Sequence, residues 1–570
     1  MRLPLLALAL AAFTMPAASA QTPPLLRNTG QALGGGPLRP PGISRTFVAF
    51  VGGEGAQGAD LNGDGDLNDG ALHLHDLRTG TTRYLGCASV TTTPVVTDRF
   101  VAFGVLEESD GAQDLNGDGD AWDTVAFVFD RATGQVRNLG VAIARHALIT
   151  DRVLAFLASE VEQGADLDGD GVLSLQTMYV VDPATGVGTA LAPRPALSAY
   201  DGQPQFAVSD SRVYWRAHSD GSIWTHDLAT QATANIGLRT PAEPISRGGV
   251  VAFIVSESQS GMQDLNGDGD AVDFLVGVVP SSGGAPVILP LAGMYPLAAY
   301  LKIGMNLVLG YRWESVATGD LNSDGDTQDG VLGVYDDRTG VLTNLRRAVT
   351  FATVPQAEDQ LLADVEGDVV AYAISEVGQG QDLNGDGDIL DATLEVANGA
   401  GIVLASAPLA LDVSCATSIQ VSRGHIGFLV REIAQGQDLD GDGLLGSTVP
   451  HVLDFVHAPQ LTNIGIGLDW DLAATCQFDR DRVCFLERES PGDLNGDGDS
   501  LDNVLIVRGT SPGSAVNTAV AAWPTTSPKS VIARQGVVAV AAHEHWSGGV
   551  SLNGDADATD QVLFVLRMNP

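Results

Sequence analysis

Basic residues are scarce in this chain. Its 570 residues hold 30 Lys and Arg against 70 Asp and Glu, for a formal net charge of −40. That balance excludes nucleic acid as a partner, because the chain would repel a phosphate backbone rather than displace its counterions. A polybasic membrane anchor is excluded on the same ground. Aromatic residues are only 6% of the total, whereas glycine numbers 68, which favours many tight turns and short strands over long helices. There are four cysteines and no C-x-x-C unit, so neither a thiol redox enzyme nor a zinc ribbon is expected. No Walker loop, dinucleotide fingerprint or zinc-protease spacing occurs. Disorder is not expected either, since 44% of the residues are hydrophobic and mean hydropathy is +0.11.

The N-terminus reads as an export signal. Arg2 is followed by the apolar stretch Leu3–Ala12, and Ala18-Ser19-Ala20 fits a small-x-small cleavage site. Cleavage after Ala20 places residues 21–570 in a secreted, periplasmic or cell-surface setting. The apolar stretch is too short to span a bilayer, and no later segment reads as a membrane helix. Outside the cytosol Cys87, Cys415, Cys476 and Cys484 allow three disulfide pairings. Cys476 and Cys484 flank a short turn, where a cross-hairpin bond and two buried thiols are both open.

What the chain has in abundance is one string. Asp-Leu-Asn-Gly-Asp-Gly-Asp begins at Asp60, Asp114, Asp264, Asp382 and Asp493, with variants at Asp166, Asp320, Asp438 and Ser551. The starts are about 55 residues apart, except for one gap of nearly two periods. Inside that gap Val208–Trp215 resembles Val96–Phe103, so a copy without the acidic string lies there. Ten repeats fill the chain after the signal.

Each repeat follows one grammar. A short apolar stretch ends in a turn such as Thr97-Asp98-Arg99, and a β-rich run, Phe100–Leu106, follows. Then come the acidic loop, a second run at Val125–Phe129, the turn Asp130–Gly134 and the segment Val136–Gly140. Four short antiparallel strands at this period predict a propeller blade. The loopless copy passes through a plain hairpin into Ser222–Asp227, so the acidic loop is an insertion between second and third strands. Val153-Leu154-Ala155-Phe156 followed by Tyr179–Gly186 resembles the WD40-like blades of TolB-type propellers. The resemblance implies an all-β propeller fold and no particular activity. The last repeat stops after a third strand at Val562–Leu566, and Leu25–Gly30 resembles the fourth-strand segment Gln135–Gly140. The N-terminal strand is therefore expected to complete the last blade, in one ring of ten blades, with two fused five-bladed rings as the alternative.

The acidic loops have the first half of an EF-hand pattern. Position 1 is Asp60, Asp114, Asp166, Asp264, Asp320, Asp382, Asp438, Asp493 or Ser551. Position 3 is Asn62, Asn116, Asp168, Asn266, Asn322, Asn384, Asp440, Asn495 or Asn553. Position 5 is Asp64, Asp118, Asp170, Asp268, Asp324, Asp386, Asp442, Asp497 or Asp555. Position 6 is Gly in all copies but the last, which has Ala556. Such alternation points several oxygens inward, and hard Ca²⁺ wants six to eight of them. The bidentate Glu of an EF-hand is missing at position 12. Instead position 7 is Asp66, Asp120, Asp270, Asp326, Asp388, Asp499 or Asp557, and position 10 is Asp69, Asp123, Asp273, Asp329, Asp391, Asp502 or Asp560. The position-10 offset resembles integrin-type and thrombospondin-type calcium loops. The copies at Asp166 and Asp438 lack both of these aspartates and form a second class.

A further candidate ligand lies at the end of the second strand: Glu54, Glu107, Glu160, Glu257, Glu314, Glu376, Glu432, Glu489 or Glu544. The loopless copy has Ser219 there, so Glu and loop vanish together, and the Glu is expected to complete the calcium shell. Up to nine Ca²⁺ would bring −40 to about −22. Other motifs carry less. Gly509-Thr510-Ser511-Pro512-Gly513 sits at a hairpin turn and not at a nucleophile elbow. His73 and His75 share a strand face without partners for catalysis. The expected function is an exported calcium-binding propeller acting as a non-catalytic binding or surface scaffold, with a glycan or surface protein as partner. The alternative is a propeller hydrolase or lyase with its site in the central channel.

Overall fold

The computed structural model describes residues 25–33, 40–86, 92–174, 176–196, 206–267, 269–281, 284–292, 301–315, 318–352, 360–415, 418–456, 459–473, 476–489, 492–510, 516–522, 531–555 and 557–568. The export signal expected at 1–20, Cys87, Asp268, Ala556 and Ser511–Gly513 lie outside them.

The chain is nearly all β, built of antiparallel four-strand meanders in the order of the sequence repeat. The second repeat shows the pattern with Val95–Val96, Phe100–Leu106, Thr124–Asp130 and Gln135–Ile149. Phe100 pairs with Asp130 and Leu106 with Thr124, which leaves residues 107–123 as the inserted loop. The loopless repeat makes the same meander from Phe206–Val208, Arg212–Arg216, Ser222–Asp227 and Thr233–Arg239. Among the described residues, four-residue helices carry part of the connection after the second strand at Glu54–Gln57, Glu376–Gln379 and Glu432–Gln435.

The second strands are apolar on both faces because each sheet is covered on both faces. Phe100, Val101, Ala102, Phe103 and Val105 are all buried. Phe47, Ala49, Leu72 and Leu74 of the first repeat pack on Val101, Phe103, Val105 and Phe129 of the second. Ala252, Ile254, Val276 and Val278 pack in the same way on Leu301, Ile303 and Val308. Val48 and Phe50 pack on Val537, Ala539, Ala541, Leu563 and Val565, so first and last repeats also share a core.

The strand Leu25–Leu33 lies antiparallel to the last strand, Gln561–Arg567, with Leu25 opposite Arg567 and Leu33 opposite Gln561. Along the first strands, side chains of one repeat cap the backbone of another. Asp364 Oδ2 accepts from the Val421 N–H at 2.8 Å, Glu366 from Arg423 at 2.7 Å and Gln420 from Phe478 at 3.0 Å. Such caps satisfy N–H groups on an edge that no further strand covers. Among the described residues, Cys476 and Cys484 are free thiols, both buried.

Candidate metal centres

Each acidic loop is wound on its own aspartates. Asp60 accepts from the Gly63 N–H at 2.6 Å and the Gly65 N–H at 3.1 Å. Asn62 Oδ1 accepts from Asp64, Asp64 from Asp66, and Asp66 from Asn68. The loop at Asp114 repeats this ladder bond for bond. Gly65 takes φ 101° and Gly119 φ 106°, a region closed to most side chains, which is the reason for glycine at position 6.

The strand Glu is the hub of the loop. Glu107 is fully buried. Its Oε1 accepts from the Leu115 N–H at 2.5 Å and the Asn116 N–H at 3.2 Å, and its Oε2 from the Asp123 N–H at 3.1 Å. Glu54, Glu257, Glu314, Glu376, Glu489 and Glu544 likewise take N–H groups at positions 2 or 3 of their loops. In the second class Glu160 accepts from the Ser174 N–H at position 9 and Glu432 from the Ser447 N–H at position 10. Burial raises the Glu160 carboxyl, but the bonds from Ser174, Leu167 and Asp168 outweigh it and hold the pKa below the usual value.

The hub draws further carboxylates to it. Single oxygens of Glu314, Asp324, Asp326 and Asp329 lie within 4.8 Å of one another. The same holds for Glu489, Asp497, Asp499 and Asp502, for Glu544, Asp555, Asp557 and Asp560, for Glu54, Asp66 and Asp69, and for Glu107, Asp120 and Asp123. Positions 5, 7 and 10 and the strand Glu thus converge. Positions 1 and 3 spend oxygens on the loop backbone. Asn62 also turns its amide nitrogen to Asp69 at 2.8 Å.

Convergence carries an electrostatic penalty. Burial first, then neighbouring acids, pushes Asp123 up to about 8, Asp329, Asp502 and Asp560 to about 7, and Asp391 to about 6. Glu54 is also raised, mainly by burial. Glu54 Oε2 and Glu489 Oε2 are buried without any hydrogen-bond partner. A buried carboxylate oxygen left in this way is costly unless a cation meets it. The donors are all hard oxygens, with no nitrogen or sulfur among them, which suits Ca²⁺ rather than zinc or copper.

Neighbouring loops are stitched together by position 3, a link that residue types alone do not reveal. The Asn62 amide donates to the Ser109 carbonyl at 3.4 Å, Asn116 to Glu162 at 3.2 Å and Asn322 to Gly378 at 2.8 Å. Asn495 donates to Trp546 and Asn553 to Ala56, both at 2.7 Å. In every case the acceptor lies two residues after a strand Glu.

His73 and His451 lie on strands away from these loops. Burial lowers His73 and His451 to about 4, so both are neutral, and each stacks on a phenylalanine. Burial raises Cys484 to about 12 and Cys476 well above its usual value, so neither is a reactive thiol.

The sequence matches no protein-family model and no curated protein at a significant level. Among solved structures, similar chains are β-propellers. The β-propeller domain of the trilobed protease from Pyrococcus furiosus is 10% identical, with 77% of this chain and 95% of that chain covered and a TM-score of 0.27. TolB from Acinetobacter baumannii is 12% identical over 59% and 75%, with a TM-score of 0.22. An oligogalacturonate lyase in complex with manganese is 11% identical over 78% and 96%, with a TM-score of 0.28. Likenesses this low leave the choice of function to the residues themselves.

Proposed function

We propose that this protein is an exported, calcium-loaded β-propeller that serves as a non-catalytic binding scaffold, with Ca²⁺ held in each acidic loop. The observation that carries the reading is the unpartnered, buried Oε2 of Glu54 and of Glu489 beside the loop aspartates. The strand Glu and positions 1, 3, 5, 7 and 10 supply the oxygens in seven loops. Asp166, Asp168 and Asp170 with Glu160, and Asp438, Asp440 and Asp442 with Glu432, supply fewer in the second class. Asp168 Oδ2 is itself buried without a partner. Calcium at millimolar concentration outside the cytosol fits shells built on short loops of modest affinity.

The blades are read as ten in one ring, with Leu25–Leu33 as the fourth strand of the last blade. The core shared by Val48, Phe50, Val537 and Leu563 supports this reading, as does the core uniting the fifth and sixth repeats. Two five-bladed rings would pair the fifth repeat with the first instead. Isothermal titration with calcium, followed by anomalous scattering from crystals, tests the proposal. Nine sites or close to it are expected, and absence of calcium uptake would overturn it.

A further inference from the structure

Two acids stand where the other repeats have none. Three residues after the strand Glu, the first, third, seventh and eighth repeats place Gln57, Gln163, Gln379 and Gln435. These amides serve the main chain of the preceding repeat. Gln163 Oε1 accepts from the Ala142 N–H at 2.8 Å, Gln379 from Ala348 at 3.3 Å and Gln435 from Ala410 at 2.7 Å. In the second repeat the same place is taken by Asp110, and the third repeat has Glu162 one residue earlier. No other repeat carries an acid two or three residues after its strand Glu.

Both acids lie against the loop of the repeat before them. The Ser109 carbonyl accepts from the Asn62 amide at 3.4 Å, and a Cβ on Gly111 would stand 3.6 Å from Asp64 Cβ. Asp110 lies between these two contacts and is half-buried. Burial first, and then the charges of Asp69 and Asp64, raise its carboxyl. Both of those acids belong to the first loop, where Glu54 Oε2 is buried without a partner close to Asp66 and Asp69. Glu162 repeats the relation one repeat further on. Its main-chain carbonyl accepts from the Asn116 amide at 3.2 Å, and a Cβ on Gly164 would stand 3.6 Å from Asp118 Cβ. Gln163 Nε2 donates to the Asn116 carbonyl at 3.2 Å. The Glu162 carboxyl meets that of Asp123 in a hydrogen bond, and burial together with this bond pushes Asp123 up. Two carboxyl groups share a hydrogen bond only while one keeps a proton, a need that a cation removes.

Resting on the calcium reading above, we infer that Asp110 is a ligand of the ion in the first loop and Glu162 of the ion in the second, so that two successive repeats hold each of these ions together. Ca²⁺ accepts up to eight oxygens in a flexible shell, and positions 1 and 3 spend oxygens on their own loop backbone. A carboxylate from the next repeat makes up for them. Without an ion, an acid set against Asp64 and Asp69 costs stability; with one it becomes a strap between repeats. The amide links from Asn62 and Asn116 seat the segment that brings the acid in. Charge count tunes calcium affinity, so the first and second loops should fill ahead of the others.

The test uses crystals of the full chain equilibrated over a series of Ca²⁺ concentrations, with anomalous scattering read loop by loop. In the parent an Asp110 oxygen should lie about 2.3–2.6 Å from the first ion, and a Glu162 oxygen likewise from the second. Asp110→Asn should raise the calcium concentration that half-fills the first loop by about tenfold or more. Glu162→Gln should do the same at the second loop, while the loops at Asp382 and Asp493 keep their values in both variants. Calorimetric melts add a sign. In chelator Asp110→Asn relieves repulsion and should raise the melting temperature; in calcium it should lower it. A carboxyl outside the shell of a filled loop, or half-filling unmoved by its variant, would overturn that assignment and leave the calcium reading standing. A melting change of one sign in both conditions would make Asp110 an ordinary structural residue and overturn its place in the shell. Loops empty at millimolar calcium would remove both readings.

Discussion

The side-chain amide of Asn28 donates to the main-chain carbonyl of Leu552 at 2.7 Å, across 524 positions of sequence. The same bond recurs within repeats, from Asn138 to Leu115, Asn344 to Leu321, Asn463 to Leu439 and Asn517 to Leu494, at separations of 23 or 24. In each, a fourth-strand Asn grips position 2 of the acidic loop. Its Oδ1 meanwhile accepts from the N–H two residues on, Gly30 for Asn28 and Gly140 for Asn138. The N-terminal segment thus does for the last loop what the fourth strands bearing Asn138, Asn344, Asn463 and Asn517 do for theirs.

Removing residues 25–33 should therefore expose the edge of Gln561–Arg567 and strip Leu33 from the core it shares with Val537. Aggregation, or a large drop in melting temperature, is expected by light scattering and calorimetry. Asn28→Ala alone should cost about 1 kcal/mol in a denaturant melt, with the protein still monomeric.

Calcium should raise the melting temperature strongly over chelator. At a hundred times Kd each site contributes about 2.7 kcal/mol by mass action. Superimposable calorimetric scans in the two conditions would count against bound calcium.

The ion-free protein should lose stability as pH rises, the reverse of ordinary acid denaturation. Asp391, Asp329, Asp502, Asp560 and Asp123 have folded values of about 6, 7, 7, 7 and 8, above the unfolded value near 4. The folded state then holds more protons between these limits, so the stability is full below about pH 4 and is lost as pH climbs through 6 to 8. Bound calcium favours the ionised forms, and the slope should flatten or change sign. Denaturant melts at a series of pH values, with chelator and with calcium, read both slopes.

Glu107→Gln separates the hub from its neighbour. The amide keeps one acceptor oxygen but sets an NH₂ against backbone donors from Leu115, Asn116 or Asp123. A loss of about 1–3 kcal/mol is expected even in chelator, with a further loss of calcium affinity at that loop. Glu108 is exposed, and Glu108→Gln should stay within about 0.5 kcal/mol. Equal effects of the two substitutions in urea melts would deny Glu107 its place at the centre of the loop.

Much of this was legible from residue types because the repeat supplies its own controls. The run Phe100–Leu106 appears as a strand with those bounds, and Ser222–Asp227 likewise. The strand Glu stood out because it disappears with the loop at Ser219. Its work on the loop backbone was hidden, since N–H groups of Leu115 and Asn116 look like those of any residue. The choice of Asn over Asp at position 3 was equally opaque. An amide is needed there to donate to Ser109, Glu162 or Ala56, and an acceptor on the main chain leaves no trace in sequence. Asp168 stands where the following repeat has no loop to offer a carbonyl, whereas Asp440 precedes a loop-bearing repeat and has no such explanation. The helices at Glu376–Gln379 and its counterparts are one turn long, too short for any period to show.

The register of the N-terminal strand also fixes how the molecule would yield to force. Leu25 faces Arg567, so both ends of the chain leave the sheet from the same corner. A pull on the two termini would load the pairs one after another, from Leu25–Arg567 toward Leu33–Gln561, instead of shearing the whole ladder at once. A protein tethered by both ends would therefore open first along this strand, peeling at low force, while the meanders behind it remained intact.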